Sequence, residues 1–99
     1  MEILKNQQGT ALSIALTGRL DTTTAPQMEA ELNAAIGGVT ALVLDFAKLD
    51  YISSAGLRVL LAAQKTMLKQ QGKMTVKNVA PEIMEVFEIT GFADILTIE

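Results

Sequence analysis

The sequence predicts a small α/β protein with a mixed, mostly parallel sheet of four to five strands and three or more helices packed mainly on one face. Three observations carry this. Residues 10–17 alternate, with Leu12, Ile14 and Leu16 on one side, which is the period-two pattern of a half-buried strand. Residues 41–46, ALVLDF, form a nearly continuous apolar run, the mark of a central strand covered on at least one face. Residues 53–72 hold Leu57, Leu60, Leu61, Met67 and Leu68 at helical spacing and close on Gly72.

The remaining elements follow in chain order. Residues 2–7 form a strand that turns at Gln8-Gly9 into the strand of residues 10–17, which Gly18 is expected to end. A helix follows, with Thr24 able to cap it, Pro26 suited to its first turn, and Glu29 and Glu31 favouring its positive end. Met28, Leu32, Ala35 and Ile36 form its apolar stripe, and Gly37-Gly38 stops it. After the central strand and the long helix, residues 73–79 alternate as a further strand. Pro81 then starts a helix through Ile89 that Gly91 ends, and residues 95–98 make a last short strand. Strands separated by helices imply parallel neighbours joined by right-handed crossovers.

A chain of 99 residues holds one hydrophobic core, so residues 1–99 read as a single domain, and 49% hydrophobic residues suffice to build it. The absence of Cys and His removes zinc sites, thiol chemistry and imidazole base catalysis, and no metal or cofactor site is expected. No glycine-rich phosphate cradle is present, and Asp21, Asp45 and Asp50 have no sequence-visible catalytic partner, so an enzyme is not expected. A net charge of −3 with scattered Lys and Arg gives no footprint for nucleic acid or an anionic membrane, and a protein partner fits better. No secretory leader and no apolar stretch of about 20 residues is seen, so a cytoplasmic protein without membrane insertion is expected, with a monomer favoured.

Two strand-to-helix junctions carry chemical information, residues 16–26 and residues 45–61, because strand carboxyl ends and helix starts expose converging N–H groups. At the second, Ser53 or Ser54 would cap the helix, and Gly56 permits close packing. Alternatively Ser54 is a phosphorylation site, since a dianion at a helix start meets the positive end of the dipole. At the first, Asp21 serves as a turn or cap carboxylate, with Thr22, Thr23 and Thr24 competing for the cap. The other possibility places Asp21 beside the serine loop in one recognition surface, with Arg19 at its rim. Arg58, one turn into the helix, faces solvent by default, or pairs with a carboxylate or with a partner.

These stretches resemble the STAS domain family, and within it the stand-alone bacterial anti-sigma factor antagonists, across essentially the whole chain. The first family signature is matched by Leu16-Thr17-Gly18-Arg19-Leu20-Asp21 with Thr24-Ala25. The second is matched by Ser53-Ser54-Ala55-Gly56-Leu57 after the apolar strand, and Gly72-Lys73 and Phe87 to Phe92 also fit. The family's usual aspartate before the acceptor serine is Ser53 here, which makes Ser53 a second candidate acceptor. The resemblance implies that the unphosphorylated protein binds an anti-sigma factor serine kinase and is released by phosphorylation of Ser54, with a phosphoprotein phosphatase resetting it. It implies a partner-binding surface of Asp21, Thr22, Thr23, Ser53, Ser54, Ala55, Gly56 and Arg58. The alternative within the family is a non-switching interaction module, for example a regulatory subunit of a lipid-transport ATPase.

Overall fold

A computed structural model describes all of residues 1–99. Its elements are β1 (Glu2–Gln8), β2 (Ala11–Leu20), α1 (Ala25–Ala35), β3 (Ala41–Ile52), α2 (Ser54–Lys69), β4 (Lys73–Lys77), α3 (Pro81–Thr90), α4 (Phe92–Ile95) and β5 (Thr97–Ile98). The five strands form one sheet in the order β1-β2-β3-β4-β5. β1 and β2 pair as an antiparallel hairpin, and every later pair is parallel. The apolar run of residues 41–46 thus lies in the middle strand of the sheet, where the sequence placed it.

Side-chain alternation decides which face is covered. Leu12, Ile14 and Leu16 of β2, Leu42, Leu44 and Phe46 of β3, and Met74 and Val76 of β4 point to one side. There they join Met28 and Leu32 of α1, Leu60 and Met67 of α2, and Ile83 and Phe87 of α3 in a single core of 24 buried residues. Ser13, Ala15, Val43, Asp45 and Lys77 on the opposite face are exposed or half-buried. All three long helices therefore share one face of the sheet, giving two layers.

Several boundaries differ from the sequence reading. β2 runs through Gly18 (φ +106°) to Leu20 instead of ending at the glycine. β3 continues six residues past Phe46, and two bulges interrupt its ladder with β2: Ala15 pairs with Asp45 but Thr17 with Lys48, and Gly18 pairs with Leu49 but Arg19 with Tyr51. Each bulge adds one residue to β3, so its buried positions fall at 42, 44 and 46 and then at 49 and 52. A spacing of three hides a strand from a search for alternation.

Thr24 occupies the cap position of α1 without capping it through its side chain, and neither Glu29 nor Glu31 lies in the first turn; Glu31 instead pairs with Lys5 of β1. Leu68 sits beside the buried stripe of α2, not on it, and is 64% exposed. Gln71, not Gly72, takes the left-handed conformation after α2. The chain near Ile95 is a short helical turn closed by the Leu96 amide donating to the Phe92 carbonyl, so only Thr97–Ile98 joins the sheet. Gly91 does end α3, with φ +82°.

Gly56 marks the tightest approach between α2 and the sheet. A Cβ there would lie 2.8 Å from Ile52 Cγ1, 2.8 Å from Leu20 Cγ and 3.0 Å from the Leu20 carbonyl oxygen. Helix propensity favours alanine by about 1 kcal/mol, whereas overpacking costs about 1–3 kcal/mol. Overpacking should win: Gly56→Ala is expected to lower the urea midpoint, and an unchanged or raised midpoint would show that α2 can move off β2.

Candidate functional site

The two junctions meet because β2 and β3 stay side by side to their ends. Beyond the second bulge, the Ser53 amide donates to the Leu20 carbonyl at 2.9 Å, placing Asp21 and Ser53 at the start of two adjacent loops. This is the carboxyl end of two parallel strands, where helix starts collect unpaired amides.

At the first loop, Asp21 is the organising group. Its Oδ1 accepts from the Thr23 amide at 3.0 Å, the Thr24 amide at 3.1 Å and the Thr23 hydroxyl at 2.7 Å. The Thr24 hydroxyl accepts from the Asp21 amide and donates to the Arg19 carbonyl, both at 2.8 Å. Thr24 is thus occupied in closing the turn, and Asp21 takes the amides of Thr23 and Thr24 just ahead of α1. These bonds, led by that of the Thr23 hydroxyl and then the Thr24 amide, stabilise the charged form and hold the Asp21 carboxyl down from 3.8 to about 2.

At the second loop the two serines divide the work. Ser53 is the cap: its backbone is extended (φ −103°, ψ 175°), its hydroxyl accepts from the Gly56 amide at 3.3 Å, and its carbonyl accepts from the Leu57 amide at 2.9 Å. Ser54 is the first helical residue, exposed, with its hydroxyl in no hydrogen bond of the chain. The amides of Ser54 and Ala55 precede the first intrahelical bond and are open to an acceptor.

The other predicted residues fall around this pair. Thr22, Ala55 and Arg58 line a surface cleft of about 250 Å³ between the starts of α1 and α2, with Pro26 and Glu29 on its α1 side. Thr23 is exposed on the Asp21 turn, and Gly56 is buried beneath Ser53, so it shapes the surface without forming it. Arg58 is exposed and takes no part in the chain's two ion pairs, Lys5 with Glu31 and Arg19 with Asp21. Tyr51 was not singled out by the sequence. It is 41% exposed as the penultimate residue of β3, with the Arg19 guanidinium carbon 4.2 Å from its ring centre. An aromatic standing two residues before a helix cap, outside the apolar run, was the available signal. No group of His, Cys, Asp or Glu is placed to hold a metal ion.

The sequence matches the STAS domain over residues 2–99. The chain belongs to the STAS domain family. This STAS domain is 43% identical over 88 residues to BtrV of Bordetella bronchiseptica, named as an anti-sigma factor antagonist; the match covers 88% of this chain and 76% of that protein. It is 26% identical over 98 residues to the anti-sigma-B factor antagonist of Bacillus subtilis, covering 99% of this chain and 88% of that one. Among solved structures, an anti-sigma factor antagonist from Mycobacterium paratuberculosis superposes with a TM-score of 0.86 at 23% identity, over 98% of this chain and 83% of that one. The resemblance expected from the two loop motifs is therefore borne out, as is the mixed five-stranded sheet.

Two outcomes test the division of roles. Ser53→Ala should cost about 1 kcal/mol through loss of the cap, while Ser53→Asp, also a good cap, should hold stability near that of the unmodified chain; urea unfolding reads both. Because the folded Asp21 carboxyl is more acidic than the unfolded one, its contribution is present above about pH 4 and is lost as pH falls through about 2. Asp21→Asn should therefore flatten the acid limb of the stability profile in that window, and an unchanged limb would show that the turn bonds do not hold the charge.

Proposed function

We propose that this STAS domain is an anti-sigma factor antagonist that works by partner switching, with Ser54 as the switch. The observation that carries the reading is the position of Ser54: exposed, free of internal hydrogen bonds, and first in a helix whose cap is already supplied by Ser53. A phosphate there would add about 1.5–2 negative charges beside the positive end of the α2 dipole and the open amides of the first turn, so the fold tolerates it. A partner packed on the same surface would have to desolvate that charge, so the complex weakens. The names of the relatives agree with this role, and the neighbour SpoIIAA of Bacillus, which superposes with a TM-score of 0.78 at 23% identity, is known in a phosphorylated form.

The partners of this reading are an anti-sigma factor serine kinase, which binds the unphosphorylated surface of Asp21, Thr22, Thr23, Ser53, Ser54, Ala55 and Arg58, and a phosphatase that restores it. ATP and its metal ion belong to the kinase, and this chain acts as substrate and binding module. Such a cycle runs in the cytoplasm, and the chain has no helix long and apolar enough to cross a membrane. The non-switching module of a lipid-transport ATPase is the weaker reading. A serine in place of aspartate at position 53 would favour it, but Ser53 makes the cap bond that an aspartate would make.

The test is incubation with the cognate anti-sigma kinase and ATP, followed by mapping of phosphate by mass spectrometry. Phosphate is expected on Ser54 and absent from Ser54→Ala. Ser54→Asp should bind the kinase at least tenfold more weakly than Ser54→Ala. Equal binding of the two variants would favour the non-switching module, and absence of both phosphate and binding would overturn the proposal.

A further inference from the structure

The bulged end of β3 places a second feature on the surface that carries Ser54. Arg19 and Tyr51 are register partners across β2 and β3, and the guanidinium lies over the ring with 4.2 Å to its centre. The Arg19 side chain is 60% exposed and Tyr51 is 41% exposed, so neither belongs to the core. The other three aromatics, Phe46, Phe87 and Phe92, are buried or half-buried. The pair stands two residues before Asp21 on one strand and two before Ser53 on the other, and the Leu20–Ser53 backbone bond ties the two loops together.

We infer that the stacked Arg19–Tyr51 pair is the docking anchor for the anti-sigma partner, and that the guanidinium receives a carboxylate presented by that partner. This rests on the partner-binding reading above. The guanidinium carbon lies over the ring, and Arg19 pairs with Asp21 only at ion-pair range, Nε to Oδ2 3.6 Å, without a side-chain hydrogen bond. The exposed guanidinium N–H groups are therefore left for a planar, two-bonded partner, which a carboxylate supplies. Stacking fixes the long arginine side chain before the partner arrives, so less freedom is lost on binding. Tyr and Arg are the residue types on which interfaces concentrate their energy, and here they are adjacent and preorganised. The anchor also couples to the switch: a phosphate on Ser54 would repel the acidic group that Arg19 attracts, so one modification acts against the anchored contact as well as by its own desolvation.

The experiment is a titration of the unphosphorylated protein with its cognate anti-sigma factor by calorimetry, with Ser54→Asp as reference and thermal midpoints measured alongside. Arg19→Glu and Tyr51→Ala should each weaken binding tenfold or more. Arg19→Lys should fall between, since it keeps the charge and loses the planar fork, and Tyr51→Phe should match the unmodified chain. The Arg19→Glu penalty should shrink as salt is raised, and the thermal midpoints should hold because both side chains are exposed. Binding within twofold of normal by Arg19→Glu and Tyr51→Ala, with Ser54→Asp still defective, would overturn the anchor and leave the switch standing. An equal loss in Tyr51→Phe would also overturn it, because stacking would then not be the cause. Failure of the unmodified chain to bind would remove the switch and the anchor together.

Discussion

The parallel pairing of β2 and β3 is the constraint on which the rest of the molecule depends. The two strands stay paired beyond Phe46, where the apolar run stops. The ladder absorbs two extra residues of β3, which re-aim the end of the strand, and it closes with the Ser53 amide on the Leu20 carbonyl. Two loops far apart in sequence are thereby fixed side by side. Leu49 and Ile52 keep that continuation attached to the core, being buried although the alternation around them has been lost.

Gly56 belongs to the same arrangement. α2 must begin close against the end of β2 for Ser53 to be both a sheet hydrogen-bond donor and a helix cap, and that approach leaves no room for a side chain at position 56. The glycine of the serine loop thus serves the geometry, while the two serines serve stability and exposure separately. A serine and an aspartate are nearly interchangeable as caps. Ser53 therefore caps α2 as an aspartate would, without placing a negative charge beside Ser54.

The architecture was legible where pattern and physics coincide. Alternation in residues 10–17, the apolar run of 41–46, the stripe of α2 and the stop at Gly91 each correspond to an element of the structure. What was not legible depends on contacts between distant residues. The end of β3 was hidden because bulges turn a period of two into three, and the end of β2 because Gly18 is held in the strand by its neighbours. Thr24 has the composition of a cap, yet its hydroxyl is drawn to the Arg19 carbonyl, a partner visible only once the turn is formed. The serines at 53 and 54 could both be placed at a helix start from sequence, but which one caps depends on where the backbone leaves the sheet. Tyr51 acquired meaning only through its register with Arg19.

On the proposed role of Ser54, this division of labour would let the surface change its charge without changing its shape. The bonds that hold the site together are made by the Asp21 carboxylate, the Thr24 hydroxyl and the Ser53 hydroxyl and backbone, and none of them uses the Ser54 side chain. The hydrogen bonds of its own turn hold the Asp21 carboxyl well below the usual range, so it stays charged at neutral pH. A group added to Ser54 therefore finds its surroundings already satisfied and breaks nothing on arrival. Its free-energy cost falls on whatever lies across the surface, and a binding module of this size can switch partners while its core of aliphatic side chains stays as it was.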